Sequence, residues 1–210
     1  APARPRDLAE FAALTDDLLG PLDLPPRVIL VVHDVGALFG LAWAVAHPDR
    51  LAALVILNAG IFPDRRWHWG ARLVRTPLIG AAALRWMPRA GFRRELVRAS
   101  AGHRDAAEID RTYDAFGPSA RATARHLYRR QGPRLLAGLP ERVRALTAAV
   151  PTLVLWGERD PYLPAAFAER FGAGTVRRYP DLGHWPHLEA PARVAADLDG
   201  FLAAQGLRAV

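Results

Sequence analysis

Short unbroken apolar runs recur along this chain, at Arg27-Val-Ile-Leu-Val-Val32, Leu51 to Leu57 and Thr152-Leu-Val-Leu-Trp156. A strand with one wet face alternates apolar and polar residues, and these runs do not. They predict strands over 27–32, 51–57 and 151–156, covered on both faces, hence a parallel sheet with helices on either side. Residues 175–179 read as a further strand. The alanine-rich segment 36–47 predicts a helix buried on most faces and stopped at His47-Pro48. Residues 1–19 read as a linker and one helix-like segment, carried by Leu8, Phe11, Ala12, Leu14, Leu18 and Leu19 and closed by Gly20-Pro21. Strand, crossover helix and strand make βαβ units, so the expected fold class is α/β.

Between about Gly60 and Arg144 the pattern changes. Pro, Gly, Trp and Arg interrupt short amphipathic stretches. These predict helices over 69–73, 78–86, 92–101, 106–113, 120–130 and 134–148. Further on, 165–172 and 191–204 read as helices on either side of strand 175–179.

Composition adds bounds. With 210 residues, half of them hydrophobic, the chain can bury one substantial core, or a small core plus an inserted segment. No apolar run of about eighteen residues is present to form a membrane-crossing helix. The N-terminal Ala-Pro-Ala-Arg-Pro-Arg lacks an apolar signal segment, and a start at Ala suggests processing or a fragment. A cytoplasmic location is the default expectation. Cysteine is absent, so disulfides and thiolate metal sites are excluded. The net charge is +7 and every basic residue is Arg. The arginines are scattered, with pairs at 65–66, 93–94 and 129–130, and no nucleic-acid motif accompanies them. They read as solvated helix faces, so nucleic acid is not an expected partner, and with no membrane-crossing run neither is a membrane. No phosphate loop, metal-spaced His cluster or dinucleotide fingerprint occurs, so no metal and no cofactor is implied.

The candidate chemistry starts where the first strand breaks, at His33-Asp34-Val35-Gly36, before a helix. Strand, sharp turn and helix, with one reactive side chain at the turn, is the geometry of a nucleophile elbow. Crowding at such a turn calls for a small residue just after it, which Gly36 provides. A carboxylate at the apex suits displacement at an sp³ carbon, through an alkyl ester, better than acyl transfer. An Asp capping the following helix would read the same way. Asp160, in Gly157-Glu-Arg-Asp160-Pro161, follows the third strand and is placed to orient a histidine, though Asp-Pro also starts turns. His184 lies on a Gly-preceded loop, Gly183-His184-Trp185-Pro186, as the candidate general base. His187 is its competitor. Nucleophile, acid, His is the α/β-hydrolase triad order. The backbone N–H of Val35 is the candidate oxyanion donor.

These residues resemble the Asp-nucleophile branch of the α/β-hydrolase family, home of haloalkane dehalogenases and epoxide hydrolases. The resemblance is carried by Val-Val-His-Asp34-Val-Gly, His47-Pro-Asp-Arg50, Gly157-Glu-Arg-Asp160-Pro and Gly183-His184-Trp-Pro-His-Leu-Glu-Ala-Pro191, and covers nearly the whole chain. It implies an α/β-hydrolase fold: a mostly parallel sheet flanked by helices, with an inserted helical lid. The divisions would be core over 1–60, lid over 61–148 and core again over 149–210. The four strands would be the last four of eight, leaving strand 27–32 as an open edge. The implied reaction is attack by Asp34 on a small, apolar, neutral haloalkane or epoxide. Water activated by His184, itself oriented by Asp160, would then hydrolyse the ester. Asn58 stands where some dehalogenases keep their acid, and it cannot carry the charge.

Two departures stand beside the matches. The family's dehalogenases carry Trp after the nucleophile to hold the halide; here it is Val35. The His-Gly-x-Pro loop that supplies the second oxyanion donor has no counterpart before Arg27. A β-lactone decarboxylase of the same branch, or a truncated, inactive homologue acting as a scaffold, are the alternatives. Substrate contacts are expected from Trp67, Tyr113, Tyr128 and Trp185, with His33 at the strand end and further lid aromatics in Trp69, Trp86 and Phe116. Tyr113 or Tyr128 would protonate an epoxide oxygen.

Overall fold

The computed structural model describes residues 5–208. Four strands, β1 (Val28–His33), β2 (Leu51–Leu57), β3 (Thr152–Gly157) and β4 (Thr175–Tyr179), form one parallel sheet in the order β1-β2-β3-β4. Val32 pairs with Ile56, Ile56 with Val154, and Leu155 with Arg177. Successive side chains along a strand point to opposite faces. On one face Leu54, Ile56, Val154 and Trp156 are buried with Phe11, Leu41, Trp43 and Val143. Those partners come from α1 (Leu8–Leu19), α2 (Gly36–Ala46) and α9 (Leu139–Ala149). On the other face Ala53, Val55, Leu57, Leu153 and Leu155 meet Val194, Phe201 and Leu202 of α11 (Pro191–Ala204). The apolar runs of β2 and β3 therefore sit between two helical layers, the arrangement their lack of alternation predicts, whereas β1 is only partly covered, with Val32 its one buried residue.

β1 is hydrogen-bonded on its β2 side only, among the described residues, and Val31 is 53% exposed. The open edge expected there is present.

Between β2 and β3 the chain forms α3 (Trp69–Arg75), α4 (Ile79–Arg85), α5 (Arg89–Ala99), α6 (Ala106–Ala115), α7 (Pro118–Arg130) and α8 (Pro133–Leu136), ahead of α9. Three expectations need correction. The helix over 134–148 is two helices, α8 and α9, because Gly138 takes a left-handed φ of 74° between them. The helix over 165–172 is two 3₁₀ turns, Ala165–Phe167 and Glu169–Phe171, closed by Gly172. A Cβ on Gly36 would meet nothing within 4 Å, whereas one on Gly40 would fall 2.4 Å from a Val32 methyl carbon. Crowding thus selects the glycine one turn further into α2, where helix and strand pack.

Candidate active site

Asp34 sits at the turn from β1 into α2 with φ 44°. A non-glycine residue in that region costs on the order of 1–3 kcal/mol, so the neighbours must hold it there. Ala37 N–H donates to the Asp34 carbonyl at 3.2 Å and Leu38 N–H to that of Val35 at 3.1 Å, starting α2 immediately behind the carboxylate. Asn58, one residue past β2, is also forced to positive φ, at 28°.

The carboxylate, the imidazole and the second carboxylate come together. His184 Nε2 lies 3.6 Å from Asp34 Oδ1, and His184 Nδ1 lies 2.7 Å from Asp160 Oδ2. The Asp160 side chain is fully buried and accepts four hydrogen bonds. They come from His184, from Asn58 Nδ2 at 2.8 Å, and from the backbone N–H groups of Tyr162 and Leu163 at 2.7 and 3.2 Å. A buried carboxylate is tolerated only with this degree of satisfaction. Asn58 also exchanges two bonds with the Gly157 backbone, tying the end of β2 to the end of β3.

The His184 loop is clamped from three sides. Gly183 passes so close to α5 that a Cβ would fall 2.2 Å from the Ala99 carbonyl oxygen. His184 N–H donates to that same oxygen at 2.7 Å. Glu189 accepts from the backbone N–H groups of Gly183 and Trp185, at 2.5 and 2.9 Å. His33 Nε2 donates to the His184 carbonyl at 2.8 Å.

Burial opposes charge on His184, but the Asp34 charge, with hydrogen bonds to Asp160 and Asp34, outweighs it and raises the imidazole to about 10. Desolvation likewise works against the Asp34 carboxylate. The His184 charge, its hydrogen bond and the Val35 N–H overcome it and hold Asp34 well below the usual carboxylate range. Burial and the neighbouring His184 charge lower His33 to about 4, so it stays neutral.

A cavity of about 710 Å³ lies above the triad, lined by Asp34, Val35, His184, Trp67, Tyr128 and Trp185 among others. That volume accommodates a small organic molecule. Trp69 and Phe116 also line it. Three expected contacts do not. His33 is committed to the His184 loop. Tyr113 donates its hydroxyl to the Met87 carbonyl at 2.7 Å and, with Trp86, lines a separate groove. His187, the competitor base, has no acid partner among the described residues, and its Nδ1 is buried without a hydrogen bond.

The cavity also contains groups that sequence reasoning missed. Tyr162 donates to Glu95 Oε1 at 2.9 Å, and burial with the Glu95 charge pushes its phenol far up. Burial raises Tyr128 to about 12, and the Asp34 charge adds to it, so both phenols keep their protons. Arg65 stacks on Trp67 at 3.8 Å and bonds Gln131, and no carboxylate among the described residues lies within salt-bridge distance. Its spacing two residues before Trp67 is a usable signal; the Arg65-Arg66 pair alone reads as surface charge. Among the described residues no cluster of three or more His, Cys, Asp or Glu could hold a metal ion.

Residues 1–197 match the Alpha/beta hydrolase family. The chain is 26% identical over 206 residues to a cis-3-alkyl-4-alkyloxetan-2-one decarboxylase of Shewanella oneidensis, covering 88% of this chain and 63% of the relative. It is 29% identical over 202 residues to haloalkane dehalogenase 2 of Mycobacterium tuberculosis, covering 89% and 68%. It is 27% identical over 227 residues to epoxide hydrolase 3 of Xenopus tropicalis, covering 96% and 60%. The chain thus spans about two thirds or less of the length of these curated relatives.

Proposed function

Because this chain belongs to the alpha/beta hydrolase family, we propose that Asp34 is its nucleophile, in a hydrolase that works through a covalent alkyl ester. The observation that carries this is the line Asp34–His184–Asp160, at 3.6 and 2.7 Å, opening into a cavity. The substrate is small and largely apolar, matching Trp67, Phe92, Phe116 and Trp185 around Asp34.

An Asp34 oxygen attacks the carbon bearing the leaving group. The C–O ester bond forms, and the bond to halide or epoxide oxygen breaks with its electron pair. Arg65 is the cation in the same cavity toward which that departing charge develops, and Tyr128 or Tyr162 can give an epoxide oxygen its proton. Tyr113 drops out of that role. A water then loses a proton to His184 Nε2 and attacks the Asp34 ester carbonyl. The Val35 N–H stabilises the oxyanion. Collapse releases the alcohol or diol and restores the Asp34 carboxylate.

Esterification also switches His184. Its raised affinity for a proton rests on the Asp34 charge. Once Asp34 is an ester, that charge is gone and burial favours the neutral base that hydrolysis needs.

The likeness to the oxetanone decarboxylase favours one second reading: Asp34 acting on a β-lactone, with carbon dioxide and an alkene as products. A single experiment tests the shared step. His184→Gln protein is incubated with haloalkane, epoxide or β-lactone, and the intact mass and Asp34 peptide are measured. A stable adduct on Asp34 is expected from one class, and wild-type product (halide, diol, or carbon dioxide with alkene) identifies the reaction. No adduct from any class, with Asp34→Asn still binding those ligands, would make the chain a scaffold.

A further inference from the structure

The lid carries a stretch of unbalanced charge. From Arg65 to Arg94 there are eight arginines and no Asp or Glu. Arg65 and Arg75 are turned to internal partners, and Arg89 pairs with Asp110 and Asp114. Arg66, Arg72, Arg85, Arg93 and Arg94 are exposed, with no carboxylate within salt-bridge distance among the described residues. Interleaved with them are four of the chain's exposed large apolar side chains: Trp69 at 73%, Leu78 at 84%, Ile79 at 57% and Trp86 at 73%. Leu78 and Ile79 form the turn from α3 to α4, where Leu78 adopts φ 60°. The two helices pack closely, since a Cβ on Gly80 would fall 2.0 Å from the Val74 carbonyl oxygen. Ala71, Leu73, Val74 and Leu84 line the active-site cavity, as do Arg66 and Arg94 beside these helices, whereas Leu78, Ile79, Arg72 and Arg85 lie outside that lining and are exposed.

We propose that this outer face of α3 and α4 docks peripherally on an anionic lipid bilayer, with Leu78 and Ile79 dipping into the interface and Arg72 and Arg85 meeting lipid phosphates. Arginine and tryptophan flanking an apolar tip is the side-chain set that lies in a membrane interface. Two other occupants fit less well. A second copy related by a two-fold axis would bring the same acid-free arginine set against itself. A nucleic acid would match the arginines and leave Leu78 and Ile79 without apolar partners. No helix among the described residues is long and apolar enough to cross a membrane, so the contact is with the surface. Such surface docking departs from the expectation, drawn from the lack of a membrane-crossing run, that membranes are not a partner. Trp69 is both exposed and part of the cavity lining, so the docking face adjoins the route by which an apolar molecule would leave the bilayer for Asp34.

The test is co-sedimentation of the full chain with vesicles of equal phosphatidylglycerol and phosphatidylcholine, against pure phosphatidylcholine. Binding to the anionic vesicles should be at least tenfold tighter and should weaken in high salt. Each arginine near the surface contributes roughly fivefold. In the unaltered chain, brominated lipid should quench tryptophan fluorescence. The exposed double variant Leu78→Ser, Ile79→Ser should bind at least tenfold more weakly while melting at the same temperature. Arg72→Glu with Arg85→Glu should lose the preference for anionic lipid. Asp34→Asn should bind unchanged, which separates this proposal from the proposed chemistry. No binding to anionic vesicles overturns it. So does binding that ignores Leu78→Ser, Ile79→Ser and is matched by duplex DNA, which marks a general polyanion surface. A dimer of the wild type that this double variant dissolves also overturns it, in favour of a second copy.

Discussion

The core and the lid hold their polar side chains in opposite ways. At the C-terminal ends of β1 to β3, Asp160 has four partners and Asn58 ties two strands together. The His184 loop is pinned through backbone contacts that allow no Cβ at Gly183. In the lid, arginines cap carbonyl groups, as Arg75 does for Gln131 and Arg121 for Phe116, pair with carboxylates, as Arg98 does with Glu95, or extend into solvent. The core fixes Asp160 and the His184 loop because the Asp160 carboxylate and the Asn58 amide are buried with their hydrogen bonds made. The lid tolerates exposed Trp and Leu because its helices need bury only one face. Chemistry built on the first region should be sensitive to small changes, and specificity built on the second should be graded.

The largest effect should come from the triad. Asp34→Asn should remove turnover, and Asp160→Asn should lower kcat by about 10³–10⁴-fold with little change in KM, measured on whichever substrate class labels Asp34. An Asp160→Asn enzyme of near-normal kcat would break the comparison at its centre. Next comes packing around the loop. Gly183→Ala forces a carbon against the Ala99 carbonyl and should destabilise the protein by about 1–3 kcal/mol in chemical denaturation. Asn58→Ala leaves buried partners unsatisfied, with a similar loss of about 1–3 kcal/mol.

A third prediction concerns pH. The His184 imidazole is raised to about 10 in the free protein, above its ordinary 6.5. The stabilisation it contributes is therefore fully present below about 6.5 and is lost as pH rises through about 10. In Asp34→Asn the main raising charge is absent, so the His184 resonance followed by NMR should titrate much lower. A His184 that titrates equally in both proteins would show that Asp34 does not control it. The smallest effects belong to the lid. Tyr128→Phe should lower turnover on epoxides more than on haloalkanes, whereas Tyr113→Phe should leave both unchanged. A loss in Tyr113→Phe would return that residue to the cavity.

Much of this was legible in the chain itself. The apolar runs locate β1, β2 and β3, and in β2 and β3 burial on both faces excludes polar residues. Pro191 opens α11 at the predicted residue, since proline is tolerated only in a helix's first turn. Asp34, Asp160 and His184 stand out because each follows a strand end, where a parallel sheet presents its reactive side chains. The split at Gly138 was less legible, because a glycine inside a helical pattern does not announce its sign of φ. What periodicity cannot encode is which distant groups meet. Glu95 finding Tyr162, Glu189 bracing Gly183 and Trp185, and Arg65 folding onto Trp67 all depend on how the lid closes over the sheet. The sequence by itself determined the layered sheet and the chain order of the proposed triad residues, since those follow from local period and strand ends. Only the tertiary structure decided that Tyr113 faces away from the cavity, that Asn58 supports Asp160, and that Leu78, Ile79, Arg72 and Arg85 are left exposed while other residues of the same helices line the cavity. Those depend on packing between segments far apart in the chain.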